Sequence, residues 1–386
     1  MERIYLDHNA TTPLDPRVLD AMLPALRDTF GNASSVHHYG QQARAAVDEA
    51  RAQVAALLGA APQEVVFTAS GTESDNMALR GVMALAPQDR RKLLYTTIEH
   101  HAVLHTAKAL AEEGFAAERI RTGPDGQIDL QDLAARLDER TVLVSVMLAN
   151  NETGVLQPLA DVVGLAKARG ALVHCDAVQA VGKVPVDFNA LGVDLLTVSA
   201  HKFYGPKGVG ALLVRRGTRM APLVRGGSQE RNRRAGTENV PGIVGMGAAA
   251  AIAREALPEE AGRLAALRDR LEARLLAVPG TERNGSEPRV PNTANLSFAG
   301  VEAESLLMAL DLAGVAVSTG AACAAGAVEP SHVLRAMGLA PERVQASLRL
   351  SVGRFTTAAD IERASDLIAS AVLAQRERRH PSATRA

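Results

Sequence analysis

The sequence has almost no net charge. Its 42 lysines and arginines are balanced by 43 aspartates and glutamates, a formal charge of -1. Such a balance gives no electrostatic footprint for a polyanion, so direct nucleic-acid binding is not expected. Cysteine is scarce, with only Cys175 and Cys323 in 386 residues. A chain this long, 47% apolar, has an ample core without a disulfide staple, and both are expected as free thiols. No uninterrupted apolar stretch reads as long enough to span a bilayer. The opening Met1-Glu2-Arg3-Ile4-Tyr5-Leu6-Asp7 lacks the apolar core of a signal peptide, which makes a cytoplasmic protein without a membrane partner the expectation. Internal repeats and low-complexity linkers are also missing. At this length two packed domains remain the natural organisation.

What is present is an alternation of short apolar runs with helical stretches. Residues 40–58 read as an amphipathic helix, with Ala43, Val47, Ala50, Val54 and Leu57 at helical spacing and Gly59 placed to end it. Strand character recurs at 65–68, 92–96, 141–146, 171–175 and 195–198, separated by helical segments such as 159–169. The pattern predicts an α/β fold with a mainly parallel sheet wrapped by helices. Past residue 252 a charged amphipathic helix over 264–276 and an isolated strand at 294–298 predict a smaller α+β domain. The last residues, including Arg376, Arg378, Arg379 and His380, lack an apolar face and read as a frayed tail over 376–386.

In a parallel α/β sheet, ligands collect at the carboxyl ends of the strands. Ser70-Gly71-Thr72 follows the first strand, where exposed amides and a hydroxyl at a helix start suit a phosphate, or equally a simple helix cap. Glu99-His100-His101 follows the second. An imidazole there could stack on an aromatic ring or move a proton, or the pair could lie on the surface. Asn150-Asn151-Glu152-Thr153-Gly154 offers amides and a carboxylate that must find partners, with a turn network as the plain alternative. Asp176 ends an apolar strand, where a half-buried carboxylate asks for a cation such as a protonated pyridine nitrogen. Gln179 lies one turn further on the same side. Lys202 follows the last strand in a Gly/Pro-bounded turn, flanked by Ser199 and His201. A lysine in a partly dry site becomes a competent Schiff-base amine, whereas most lysines are only surface charges.

These segments, together with Tyr5-Leu6-Asp7-His8-Asn9-Ala10-Thr11-Thr12-Pro13, Gly31-Asn32-Ala33-Ser34-Ser35-Val36-His37 and Arg234-Ala235-Gly236-Thr237, resemble the NifS/IscS-type cysteine desulfurases of the class V aminotransferase superfamily. The resemblance runs from residue 4 to about residue 370. It implies fold type I of the pyridoxal-phosphate enzymes: a large cofactor domain over 14–252, an α/β/α sandwich, and a small α+β domain from 1–13 and 253–375. It also implies a homodimer whose sites borrow residues across the interface. Carried over by position, it puts pyridoxal 5'-phosphate on Lys202, pairs Asp176 with the pyridine nitrogen, sets Gln179 and Asn151 at the ring oxygen, and stacks His100 on the ring. Gly71, Thr72, Ser199, Ala200 and His201 fall in the cofactor's surroundings, joined by Thr237 from the second subunit. Arg349 resembles the arginine that grips the substrate carboxylate, with Asn32 and Asn151 assisting. Arg354 is a rival that reads better as a surface residue.

The cofactor alone permits several reactions, and Cys323 is the group that selects among them. Its surroundings, Ser318-Thr319-Gly320-Ala321-Ala322-Cys323-Ala324-Ala325-Gly326-Ala327, read as a mobile loop, against the plain alternative of a small buried cysteine. The resemblance implies that the Cys323 thiolate takes sulfur from L-cysteine, leaving alanine and a persulfide. A cationic neighbour would favour the thiolate, and His100 is the candidate for its proton traffic. The loop is of the long NifS/IscS kind, which implies handover to an iron-sulfur scaffold or sulfur-carrier protein, for cluster assembly or tRNA thiolation, with Cys323 as a transient cluster ligand. Ala321-Ala322 departs from the serine often found there in relatives. Selenocysteine lyase is the alternative activity, and a non-catalytic scaffold partner the alternative class. Cys175 reads as core packing.

Overall fold

Each apolar run before residue 200 becomes a strand of one sheet. The computed structural model describes residues 3–320, 323–324, 327–328 and 330–379, with the side chains at 323–324, 327–328 and 379 outside the description. Seven strands stand in the order Val65–Thr68, Gly210–Val214, Leu195–Ser199, Leu172–Asp176, Thr141–Ser145, Lys92–Thr96, Ala116–Ile120. Gly210–Val214 runs antiparallel to both of its neighbours and every other pairing is parallel. The sheet is therefore mainly parallel, as the sequence predicts.

Side chains alternate across it with period two. Phe67, Leu94, Leu196 and Val198 join a core with the helices His38–Leu57 and Val240–Leu276. Val66, Leu93, Leu195 and Leu212 join another with the helices Gly71–Met83 and His101–Glu112. Helices thus cover both faces, and the central strands are buried along their whole length. The predicted helix 40–58 begins at His38 and ends at Leu57, with Gly59 at φ +60° just beyond it.

The helix Val240–Leu276 passes without a break through position 252. Its residues up to Ala253 belong to the large core, and Leu264, Leu267, Leu271 and Leu275 belong to a second core. Part of this helix is long and apolar enough, by composition, to cross a membrane, an exception to the sequence reading. Half of that stretch is buried inside the fold, and the helix packs against Pro16–Arg27 and His38–Leu57. The second core backs an antiparallel sheet in the order Ser347–Ser351, Thr293–Phe298, Thr281–Arg283. The chain start returns here: Ile4–Tyr5 pairs with Val315–Ala316, and Asp7 bridges to Ser351. The closing helix Ala358–Arg379 extends into the segment expected as a tail, because Arg376 is tied to the carbonyls of Ala299 (2.8 Å) and Pro279 (2.6 Å). Residues 380–386 lie outside the described residues.

Candidate active site

The carboxyl ends of six strands lie on one side of the large sheet, and residues at or after five of them line a cavity of about 200 Å³ there. Gly71, Thr72, Ser199 and His201 line it toward the helix Gly71–Met83, and His100, Asn151, Asp176, Gln179 and Lys202 line the rest. A neighbouring cavity of about 240 Å³ shares His100, Asn151, Gln179 and Lys202 and adds Asn9, Glu152, Gly320, His332 and Arg349. Most of the residues picked out from sequence therefore converge on one cleft.

At the helix start the two sequence readings coexist. The Ser70 hydroxyl accepts from the Glu73 amide at 3.1 Å and caps the helix, while Gly71 and Thr72 face the cavity. Gly71 is needed by close approach: a Cβ there would meet Val178 Cγ2 at 3.0 Å and Ser199 Cβ at 3.4 Å. Backbone amides at the head of a helix, bare of side chain, make a seat for an anion. His201 stands beside it with Nδ1 3.1 Å from the Thr11 hydroxyl. Burial and the Lys202 ammonium push its pKa down to about 4.

Asp176 is buried, and burial together with the nearby Asp75 carboxyl pushes its pKa up to about 7. One oxygen accepts from the Val178 amide at 2.9 Å. Asp75, also raised to about 7 by burial, lines the same cavity, and its Oδ1 has no hydrogen-bond partner among the described residues. The imidazole 3.5 Å from it, His174, does not serve as a cation. Burial lowers its pKa to about 4, and its nitrogens are engaged with Ser145 (2.9 Å) and Thr197 (3.0 Å). A buried acid held up by a second acid calls for a cation in the cleft.

Lys202 Nζ donates to the carbonyls of Asn9 (2.5 Å) and Ala10 (2.8 Å). Burial first, and then the Arg349 guanidinium, lower its pKa to about 8, so a sizeable fraction is an uncharged amine near neutral pH. Arg349 sits on the strand Ser347–Ser351, donating to Asp7 Oδ1 at 2.7 Å and to the Asn151 carbonyl at 3.0 Å, with Nε unpartnered among the described residues. Its remaining donor capacity opens toward the second cavity. Beside it Glu152, raised to about 7 by burial, accepts from the Ser331 hydroxyl at 2.5 Å.

His100 caps the helix His101–Glu112 by accepting the Ala102 amide at Nδ1 (3.1 Å). Its surroundings and the Lys202 ammonium lower its pKa to about 4. The ring is therefore uncharged near neutral pH, with the proton on Nε2. From Nε2 the ring can donate into the cleft.

Not every expected residue comes to the cleft. Ala200 is fully buried behind it, its amide bonded to the Val209 carbonyl. Asn32 and Thr237 are exposed and line neither cavity, Asn32 being used to accept from the Ser34 amide. Arg354 is not a surface residue. It is ion-paired with Asp15 (2.8 Å) and Glu260 (2.9 Å) and lies over the Tyr204 ring, which commits it to packing. Cys175 is a buried free thiol, as expected of core packing. Cys323 lies on the two-residue strand Cys323–Ala324, paired antiparallel with Ala327–Val328, and its side chain lies outside the described residues.

Three polar residues at the site receive no role from the sequence: Asn9 and Asp75, which fall inside the recognised segments, and Lys183. Asp75 stands four residues after Gly71, one helical turn on, and that spacing could have flagged it. Asn9 and Lys183 give no such signal, because the chain segments that make them neighbours lie far apart in sequence.

The family model described as aminotransferase class-V matches residues 4–364. A cysteine desulfurase of Trichormus azollae is 48% identical over 370 residues, 95% of this chain and 92% of that one. Cysteine desulfurase IscS of Dictyoglomus turgidum is 46% identical over 371 residues, 95% of this chain and 93% of its own. A solved structure titled as a NifS-like protein superposes with a TM-score of 0.91 at 39% identity, covering 96% of this chain and 99% of that one. The chain thus belongs to the class-V aminotransferase family, within its NifS/IscS-type cysteine desulfurases.

Proposed function

We propose that the cleft binds pyridoxal 5'-phosphate and that the chain converts L-cysteine to L-alanine while loading sulfur onto Cys323. The observation that carries the reading is the convergence of an amine lowered toward neutrality, Lys202, an acid in need of a cation, Asp176, and a bare helix start at Gly71 and Thr72. The residues fit the group. Asp176 would meet the protonated ring nitrogen, and Gly71, Thr72, Ser199 and His201 the phosphate. Gln179 and Asn151 would meet the ring oxygen, His100 the ring face, and Lys202 the aldehyde carbon. Asn151 Oδ1, buried without a partner among the described residues, is the kind of orphan that a ligand satisfies. When bound there, pyridoxal phosphate supplies an electron sink for bonds broken at an amino acid's α-carbon.

The chain's own residues supply the rest. Arg349 binds the substrate carboxylate through its fork, and Asp7 keeps that fork oriented. Lys202 Nζ, poised near pH 8, holds or releases a proton beside the α-carbon. His100 donates from Nε2 and shields one face of the cleft. In the sulfur step the carbon-sulfur bond of the substrate breaks as a sulfur-sulfur bond forms to Cys323. The electron pair and protons stay with the three-carbon product, so cysteine plus thiol gives alanine plus persulfide. The persulfide then passes to an iron-sulfur scaffold or sulfur-carrier protein, a handover in which Cys323 also serves as a transient cluster ligand. A second copy of the chain completes the site, with Thr237 reaching the partner's phosphate group from its exposed position.

Turnover of L-cysteine with a reductant tests this directly. The wild type is expected to release alanine and sulfide in equal amounts, and Cys323→Ala to lose alanine formation by at least about a hundredfold, as when a covalent nucleophile is removed. Alanine formed by that variant at the wild-type rate would show that Cys323 does not take the sulfur.

A further inference from the structure

Lys183 is a fully buried lysine at the heart of the site with no carboxylate to pair with among the described residues. Its Nζ donates to Gln179 Oε1 at 2.6 Å and to Asn9 Oδ1 at 3.2 Å. The ionisable groups that face it are Lys202, Arg349, His8 and His201, all basic. Burying a lysine among bases is unfavourable, and a hydrocarbon side chain of similar size would avoid the penalty. Its retention there asks what the donors do.

The hydrogen bonds give an answer. Gln179 faces Lys183 with its oxygen and donates with Nε2 to the Asn9 carbonyl at 2.9 Å, the same carbonyl that receives Lys202. Asn9 turns its side-chain oxygen to Lys183 and Asn292 (3.0 Å) and its Nδ2 to Thr293 (2.8 Å) and the Asn151 carbonyl (3.2 Å). An amide reads the same in outline when flipped, so something must fix its polarity. The Lys183 nitrogen carries at least two hydrogens in either protonation state, and although burial and the Lys202 and Arg349 charges press its pKa down, it meets both amide oxygens as a donor. If either amide turned over, its NH₂ would face the lysine donors, and the Gln179 oxygen would also face a carbonyl.

Resting on the cofactor reading above, we propose that Lys183 is a positioning residue: it fixes the amides of Gln179 and Asn9 so that the donor end of Gln179 is presented to the cofactor's ring oxygen. Lys183 lines neither cavity and acts only through these two side chains. Without it, the Asn9 carbonyl is the remaining group that sets the polarity of the Gln179 amide, and the donor end is held less firmly.

The test is a double-mutant cycle on pyridoxal-phosphate affinity, read by visible absorbance as cofactor-free protein is titrated, with Lys183→Met, Gln179→Leu and the double variant. Lys183→Met is expected to weaken binding by about tenfold, equivalent to about 1.4 kcal/mol. In the Gln179→Leu background it should weaken binding by less than twofold, because the path is already cut. The visible band of the bound cofactor should shift in the same direction in both single variants. Lys183→Gln serves as the second variant should the methionine protein not fold. Additive losses in the cycle, or an unchanged affinity accompanied only by a lower melting temperature, would overturn the assignment. If the wild type itself takes up no pyridoxal phosphate, the cofactor reading and this assignment fall together. If it does and the variants are additive, only the assignment falls.

Discussion

Asp176 and Lys202 hold their ionisation close to neutrality for different reasons, and both consequences can be measured. Burial and Arg349 bring the Lys202 amine down to about 8, so its uncharged fraction grows about tenfold per pH unit below that point and levels off above it. The rate of cofactor uptake by stripped protein, followed by stopped-flow absorbance, is therefore expected to climb from pH 6 and flatten past pH 8. A flat rate across that range would contradict the assignment. For Asp176, replacing the carboxylate with an amide removes the partner of the ring cation, and Asp176→Asn should weaken cofactor binding about a hundredfold, in line with about 3 kcal/mol for breaking a buried pair. Both residues were legible in the sequence because each directly follows an apolar strand, where the fold aims side chains at a ligand. Asp75 lies on the helix Gly71–Met83 and Lys183 in the turn after the strand Leu172–Asp176, where an aspartate or a lysine reads as solvated unless its burial is known. Arg354 misled for the same reason, since Asp15 and Glu260, which bury it, lie far from it in sequence.

The segment between the strand Gly210–Val214 and the helix Val240–Leu276 contains a left-handed run of backbone. Glu230, Arg231 and Asn232 are consecutive non-glycine residues in the left-handed region, at φ 47°, 57° and 63°. Such a run is unfavourable by roughly 1–2 kcal/mol per residue, so something must hold it. Glu230 does, gripped by both guanidinium nitrogens of the buried Arg51 at 2.7 Å and by the Phe67 amide at 3.0 Å. Glu230→Gln leaves the buried Arg51 with only the distant, exposed Asp48 carboxylate at 3.9 Å and is expected to destabilise the protein by about 3 kcal/mol in urea unfolding. Arg231→Gly relieves strain and gives up only a 3.3 Å bond to the Gln63 carbonyl, so its urea midpoint should match or exceed the wild type. A midpoint lowered as far as that of Glu230→Gln would argue against stored strain. Nothing in the sequence signals this turn, because left-handed runs usually announce themselves by glycine or asparagine and here begin with Glu-Arg. By contrast, the strand-turn-helix units were legible from periodicity. The strand Gly210–Val214 was not foreseen, since a five-residue apolar run does not carry its own direction.

Across the whole molecule the cofactor-free state carries an electrostatic load concentrated in one place. Asp75, Asp176 and Glu152 are all buried and all raised to about 7, chiefly by burial, against an ordinary carboxyl near 4. A carboxyl whose folded pKa lies above its unfolded value binds its proton more tightly when folded. Its contribution to stability is complete below about pH 4 and is lost as pH rises through about 7. Each such group adds a slope of up to about 1.4 kcal/mol per pH unit within that window, tempered by the groups titrating together. Unfolding of stripped protein in urea is therefore expected to grow easier from pH 5 to pH 7, opposite to the trend set by paired surface carboxylates such as Asp138, held at about 2 by Arg140 and Lys92 against the opposing effect of burial. Asp75→Asn isolates the cause. It keeps the shape, removes one titrating acid and relieves Asp176 of its neighbour, so the slope between pH 5 and 7 should fall while stability at pH 7 rises. An unchanged slope in that variant would mean that the pH dependence arises outside the cleft. The same load bears on where the site is built, at the meeting of the large sheet, the returning chain start and the strand bearing Arg349: Lys202 and Arg349 come from distant stretches of chain, and only the completed fold sets Lys202 near Asp176 and Arg349 near Glu152.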